Sequence, residues 1–257
     1  MSEANQGGVR RPNFKPNVKA NLAVTQSLGK FIDIPKGTSN LVRFLPPGED
    51  GMIWTRLAQH YGFADEDDPN RTIALACLEH HGNETTGFKC WVCDFLKVLA
   101  SHYVAKNPIL KTVVRGKGSI ALSNNYYTRA MRLEKDGDKY VSKGVQLLRL
   151  PSGGVHSVNK IMSEQAAGGE DLFTDIDKGQ ALTVTNNGKG PVWYEASRSG
   201  VVVGLDELSP NWVEAMGWDM YMELAPRIMA RAEQRKAAER TYGSMVDFDD
   251  LQKEFGL

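Results

Sequence analysis

The sequence predicts a mainly β protein: an antiparallel β body, interrupted by a short cysteine-bearing insertion and followed by a helical, partly acidic C-terminal portion. Three observations carry that reading. Short apolar runs of strand character are separated by Gly, Pro and Asn/Asp turn signals through most of the chain. All three cysteines fall within "CLEHHGNETTGFKCWVC", residues 77–93. After Leu205 the apolar pattern becomes helical.

Residues 1–27 are rich in Gly, Pro, Asn and Lys/Arg with few apolar anchors, and are expected to form a flexible basic arm. The core is expected to run from 28 to 205. "NLVRFL" alternates as a strand and stops at Pro46-Pro47; "MIWTRLAQHYGF" is the next strand and "ADEDDPNR" a loop. Over 90–105 the period changes. "CWVCDFLKVLASHYVA" places Val92, Phe95, Leu96, Leu99 and Val104 at helical spacing, and Pro108 stops the run. "LKTVVRGKGSIALS", "NYYTRAMRLEK" and "KYVSKGVQLLRLP" read as strands, with turns at Gly116–Gly118, Asp136-Gly137 and Ser152–Gly154. "VHSVNKIMSEQAAG" predicts a short helix with a glycine stop, and "ALTVTNNGKGPVWYEASRS" a hairpin around Asn187–Gly190. Ser209-Pro210 starts the helical segment of 206–243, which is interrupted at Pro226 and ends at Gly243. Residues 244–257, "SMVDFDDLQKEFGL", read as a short acidic tail.

The chain of 257 residues has ordinary apolar and charged contents, 41% and 24%. It has no run of eighteen apolar residues, so no membrane span is expected. Its first residues are basic with no apolar segment behind them, and an odd number of thiols argues against a disulfide framework; a reducing cytoplasm is the expected setting. Net charge is zero but unevenly placed. Arg10, Arg11, Lys15, Lys19, Lys30, Lys36 and Arg43 face only Asp33 in their stretch, and the bases from Lys97 to Lys143 outnumber Glu134, Asp136 and Asp138. The acids gather at Asp65–Asp68 and after Asp206.

Cys90-Trp-Val-Cys93 is a Cys-x2-Cys pair, which lets two thiolates face one cation. Cys77, thirteen residues upstream, suits the other side of a zinc knuckle. A structural zinc ion takes four tetrahedral ligands, so a histidine must complete the set. His60, His80, His81 and His102 are the choices, and the residues alone divide it between His60 and the His80/His81 pair. Buried unreactive thiols and a redox Cys-x2-Cys are the competing readings; the latter requires a βαβ setting that this β-rich sequence lacks.

The stretch "KNPILKTVVRGKGSIALSNNYYTRAMRL" interleaves cations with rings, as suits single-stranded nucleic acid: cations follow the phosphates and rings stack on unpaired bases. The candidates are Lys106, Lys111, Arg115, Lys117, Arg129 and Arg132, with Arg43, and the rings Tyr126 and Tyr127, joined by Tyr61, Phe63, Trp91, Trp193 and Tyr194. Tyr126 and Tyr127 are adjacent on a strand and point to opposite faces, so one of them at most reaches a ligand.

These residues together resemble the single-stranded DNA-binding (helix-destabilising) proteins of T-even-type bacteriophages. The likeness runs through "VRFLPP", "QHYGF", Cys77, Cys90-Trp-Val-Cys93, "NYYTRAMRLEKDGDKY", "DKGQALTVTNNGKGPVWYE" and "DFDDLQKEFGL", motif by motif over most of 28–205 and at the C-terminus. It implies an OB-fold, a five-stranded antiparallel barrel, with a zinc subdomain at about 54–105. It also implies one structural zinc ion, with the histidine before Gly-Phe, His60, as the fourth ligand. The expected function is non-enzymatic: cooperative, sequence-tolerant coating of single-stranded DNA in replication, recombination and repair. The resemblance further implies recruitment of phage replication and recombination proteins by the acidic C-terminus, here reduced to Asp247, Asp249, Asp250 and Glu254, and self-association through the basic arm. Tyr61, between His60 and Gly62, departs from the family pattern. A zinc-stabilised interaction module docking a partner on the helix Ile228–Tyr242, and a His-Asn-His nuclease suggested by "HHGN", are the alternatives.

Overall fold

The computed structural model describes residues 31–48, 51–68, 70–104, 110–115, 120–166, 173–188, 193–218, 220, 224 and 226–257. The basic arm of 1–27 lies outside them. The strands are β1 (Phe31–Ile32), β2 (Thr38–Phe44), β3 (Thr55–Ala64), β4 (Thr72–Ala76), β5 (Ser123–Asp136), β6 (Lys139–Ser142), β7 (Gln146–Pro151), β8 (Gln180–Asn186) and β9 (Tyr194–Val202). The helices are α1 (Leu78–His81), α2 (Trp91–Val98, continued by a π turn over Leu99–Tyr103), α3 (Leu110–Arg115), α4 (Ser152–Ala166), α5 (Leu205–Leu208), α6 (Trp212–Met216), α7 (Arg231–Tyr242) and α8 (Phe248–Phe255). None of the described helices is long and apolar enough to cross a membrane.

The protein is mainly β, with a mixed sheet. β5 is its hub: its first half pairs β3 on one side (Thr55↔Tyr127 to Gln59↔Ser123) and β7 on the other (Asn125↔Pro151 to Ala130↔Gln146). Its second half pairs β2 and β6. β8 and β9 follow β2, and β1 runs parallel to β7. Pairing among the described residues forms an open sheet of order β1-β7-β5-β2-β8-β9, with β3, β4 and β6 off that path.

Side-chain alternation sends successive residues of β5 to opposite cores. Ala130 joins Val42, Phe44, Leu148, Leu150 and Leu182 under Val155 and Val158 of α4. Met131 joins Leu45, Leu133, Ala181 and Val203 under Leu205, Leu208 and Ala215. Both faces of the sheet are therefore covered over this part.

Several expectations change. Ser152–Gly154, read as a turn, form the first turn of α4, and Ser209-Pro210, read as a helix start, lie between α5 and α6. "LKTVVR", read as a strand, is helical (α3), because Leu110 and Val113 at i, i+3 both enter a buried cluster beside α2; burial overrides β-branched propensity. The helix at 228–242 offers no free docking face over Gln234, Ala237, Ala238 and Tyr242, which are buried in the protein's own core. Residues 244–257 do not form a loose acidic tail. Asp247 caps α8 by accepting from the N–H groups of Asp249 and Asp250, and Phe248, Leu251 and Leu257 are buried against the cysteine-bearing region. Asp249, Asp250 and Glu254 remain on its exposed side.

Candidate metal centre

His60 sits near the end of β3, where the pairing with β4 slips: Tyr61 faces Ala74 but Phe63 faces Ile73. The extra residue is Gly62, with φ +89°. In a regular strand residues three apart point to opposite faces. The bulge lets His60 and Phe63, both fully buried, point into the same core. Replacing Gly62 with alanine is expected to cost about 1–2 kcal/mol in backbone strain. A smaller melting shift in chelator than in zinc would tie that loss to the centre; equal shifts would show a purely local effect.

Cys77 directly precedes α1, and its N–H donates to Ala58 O at 3.0 Å. Cys90 precedes α2 and Cys93 lies in its first turn, so backbone N–H groups at that helix start lie near both thiols. The Nδ1–H of His60 donates to Ile120 O (2.8 Å); a carbonyl only accepts, so in the neutral ring Nε2 is the nitrogen left with a lone pair for a metal. His60 Nε2 lies 3.5 Å from the Sγ of Cys90 and 3.5 Å from that of Cys93, and Cys77 Sγ lies 3.6 Å from Cys93 Sγ. The four ligand atoms all lie within 4.8 Å of one another.

These spacings fit a tetrahedral ion. Zinc–sulfur and zinc–nitrogen bonds of about 2.3 and 2.05 Å give tetrahedral edges of roughly 3.8 Å for S···S and 3.5 Å for S···N. They do not fit a disulfide, whose sulfurs sit about 2.05 Å apart, and all three cysteines are free. Without an ion the donors can only share protons. Burial pulls the His60 pKa down, but hydrogen bonds with Cys77 and Cys90 outweigh it and lift it to about 9. Hydrogen bonds from the Cys77 and Cys93 thiols pull Cys90 well below the ordinary thiol range, and the Cys77 and Cys90 contacts push Cys93 above it. One imidazole and three thiols gathered in this way could hold a metal ion.

The other histidine candidates lie outside the cluster. His81 Nε2 accepts from the Ala58 N–H (2.8 Å), and its pKa is lowered by burial and by the nearby His80 and Arg56. His80 is exposed, and His102 packs against Phe255 with ring centres 4.7 Å apart. The choice left open between His60 and the His80/His81 pair therefore falls to His60.

The DNA-contact candidates divide. Five are removed by burial. Arg43 is 0% exposed and donates to the carbonyls of Val203 (3.2 Å), Phe44 and Phe173 (2.5 Å each) and Asp175. Arg129 is buried and donates to Ala215 O (3.2 Å) and Met216 O (2.6 Å). Phe63 packs edge-on to Tyr242, and Tyr127 edge-on to Phe31. Trp91, 2% exposed, stacks on Phe95 with ring centres 4.8 Å apart. Each lies on a strand or helix whose two-sided burial was not visible from its own segment. Lys106, Lys117 and the side chain of Arg115 lie outside the described residues.

The rest retain access to solvent. Lys111 is exposed, Trp193 is 59% exposed, and Tyr61, Tyr126 and Tyr194 are half-buried. Arg132 is exposed and pairs with Glu134 at 3.6 Å. Tyr61 donates to Gln59 Oε1 and accepts from Asn125 Nδ2, both at 2.8 Å. Two cations were missed. Arg56 is exposed, stands directly across from Tyr126 and donates to Asn124 Oδ1 (2.9 Å). Arg149 stands across from Tyr127, is exposed and donates to Asn125 Oδ1 (3.0 Å). The available signal was a single base inside each apolar strand run.

Fold and cluster together define the class: a mainly β protein with a mixed sheet and a Cys3His group able to hold a metal ion. No family model matches the chain. It is 28% identical over 124 residues to a phosphoglucosamine mutase of Nocardioides sp., a stretch covering 48% of this chain and 27% of that relative. The chain thus spans about a quarter of the relative's length.

Proposed function

We propose that this protein binds single-stranded DNA without regard to sequence, braced by one structural zinc ion, and coats unpaired strands during phage DNA replication, recombination and repair. On this reading it works in the cytoplasm of the bacterial host and is not an enzyme. The observation that carries the reading is the closed ligand set. His60, Cys77, Cys90 and Cys93 would supply four donors to one zinc ion and leave no position for a catalytic water, so an ion held there would serve structure and not chemistry. The surface beside it supports the partner. Arg56 and Tyr126 face each other across β3 and β5 on the strand that carries His60, an exposed cation beside a half-buried ring.

On this reading the body is a variant of the OB scaffold built around β5, although pairing among the described residues leaves the sheet open. Selective binding of the open strand removes hairpins by mass action. Recruitment of replication proteins falls to the exposed acids of α8, and self-association to the basic arm.

The test is a fluorescence titration with oligo-dT at several salt concentrations, with duplex DNA as control. Tight binding in dilute buffer that falls steeply with salt is expected, because phosphate contacts release counterions. Arg56→Ala is expected to weaken binding about fivefold and to reduce the salt slope by about 1. Failure of oligo-dT to bind in dilute buffer, or equal binding of duplex, overturns the proposal.

A further inference from the structure

Each of the four candidate ligands lies within two residues of a group held by the C-terminal segment 226–257. Beside Cys77, the Ala76 N–H donates to Arg227 O (2.9 Å). Beside Cys90, the Trp91 N–H donates to Gln234 Oε1 (2.9 Å). Beside Cys93, Asp94 accepts from Arg231 Nη1 (2.9 Å). Two residues past His60, Gly62 O accepts from the Tyr242 hydroxyl (3.3 Å).

Gln234 is central to this arrangement. It is fully buried, with Oε1 also 3.6 Å from Cys90 Sγ and Nε2 donating to Ala76 O (3.4 Å). One side-chain amide therefore joins the turn carrying Cys77 to the turn carrying Cys90. α8 closes over the result: Phe248 stacks on Phe95 and Trp91 with ring centres 5.6 and 6.1 Å apart, and Leu251 and Leu257 enter the same cluster.

We infer that residues 226–257 are a latch on the metal centre, with Gln234 its positioning residue, so that metal occupancy and docking of the C-terminal helices stabilise each other. The ion fixes the four ligands and the latch fixes their neighbours. Each therefore spares the other part of the ordering entropy, and the coupling is reciprocal. Gln234 Oε1 accepts from the Cys90 thiol only while that thiol keeps its proton; beside a metal-bound thiolate it would position Cys90 through the Trp91 N–H, without touching the ion. The inference rests on the metal reading but not on DNA binding.

The test uses the full chain loaded with Co2+ or Zn2+. Gln234→Leu is expected to lower metal affinity 10- to 100-fold in chelator competition and to change the visible Co2+–thiolate absorption. Asp247→Ala removes only the exposed cap of α8 and is expected to lower metal affinity by up to about fivefold, the equivalent of a cap's ~1 kcal/mol. Chelation of the wild type is expected to speed hydrogen exchange at Leu251–Phe255 at least tenfold. Unchanged affinity and Co2+ spectrum in Gln234→Leu, or equal exchange with and without metal, overturns the latch. A wild-type chain that binds neither ion overturns both latch and metal centre, whereas failure to bind oligo-dT bears on neither.

Discussion

Cys90→Ser is expected to abolish tight metal binding and to leave the region around α2, α7 and α8 without a cooperative thermal transition. Structural zinc contributes on the order of 10 kcal/mol in small metal modules, comparable with the ~5–15 kcal/mol net stability of a whole domain. Cys90 is the donor on which that contribution depends most, since its sulfur faces His60 and Gln234 and its chain neighbour Trp91 anchors the aromatic stack. Elemental analysis is expected to find one zinc per wild-type chain. Metal retention is expected to weaken as pH falls. His60 titrates at about 9 in the metal-free cluster, so protons already compete with the ion at neutral pH and compete harder below it. His81→Ala is the contrasting variant: it removes an acceptor for the Ala58 N–H, with an expected cost of about 1 kcal/mol and no loss of metal. A His81 variant that lost its zinc while a His60 variant kept it would refute the ligand assignment.

Arg43→Met carries the second large expected effect, a loss of about 4 kcal/mol in urea unfolding. The guanidinium serves the carbonyls of Phe44, Phe173, Asp175 and Val203, which tie β2 to the segments before β8 and after β9. Methionine fills the space but donates to none of them, and an unsatisfied buried carbonyl costs about 1–3 kcal/mol. Lysine cannot reproduce the planar fork, so Arg43→Lys is expected to recover only part of the loss. Gly179→Ala is expected to act in the same way, because a Cβ there would overlap the Arg43 guanidinium, which its hydrogen bonds hold in place. Under conditions where the Arg43→Met protein stays folded, the salt slope of oligo-dT binding is expected to match the wild type. A reduced slope would return Arg43 to the DNA surface.

The centre was the most legible part of the sequence. Thiols in Cys-x2-Cys spacing leave a local imprint, because a turn that aims two sulfurs at one point is completed within four residues. Strands with clean alternation, such as those of β3, β5 and β7, were legible for the same reason of short range. The residues alone left the fourth ligand between His60 and the His80/His81 pair, and the resemblance named His60; the structure separates His60 from His81 by which ring nitrogen meets a backbone group, Ile120 O in one case and the Ala58 N–H in the other. The cation and ring inventory misled most at Arg43, Trp91 and Tyr127. Composition shows that such residues suit nucleic acid, but a strand or helix covered on both sides turns the same groups inward.

By itself, then, the chain's one-dimensional order settled the β character of its body, the helix after Cys90 and the sulfur donors, each encoded by residues within a turn or two of one another. Tertiary structure alone decided the inward arginines and the return of the C-terminal helices onto the knuckle, and it separated the two histidine sites that the residues by themselves left open. Those outcomes depend on contacts between segments far apart in the chain, such as Gln234 with Trp91, 143 residues away. Whether such a contact forms depends on which apolar surfaces meet, a property of the assembled core that no single stretch of sequence carries.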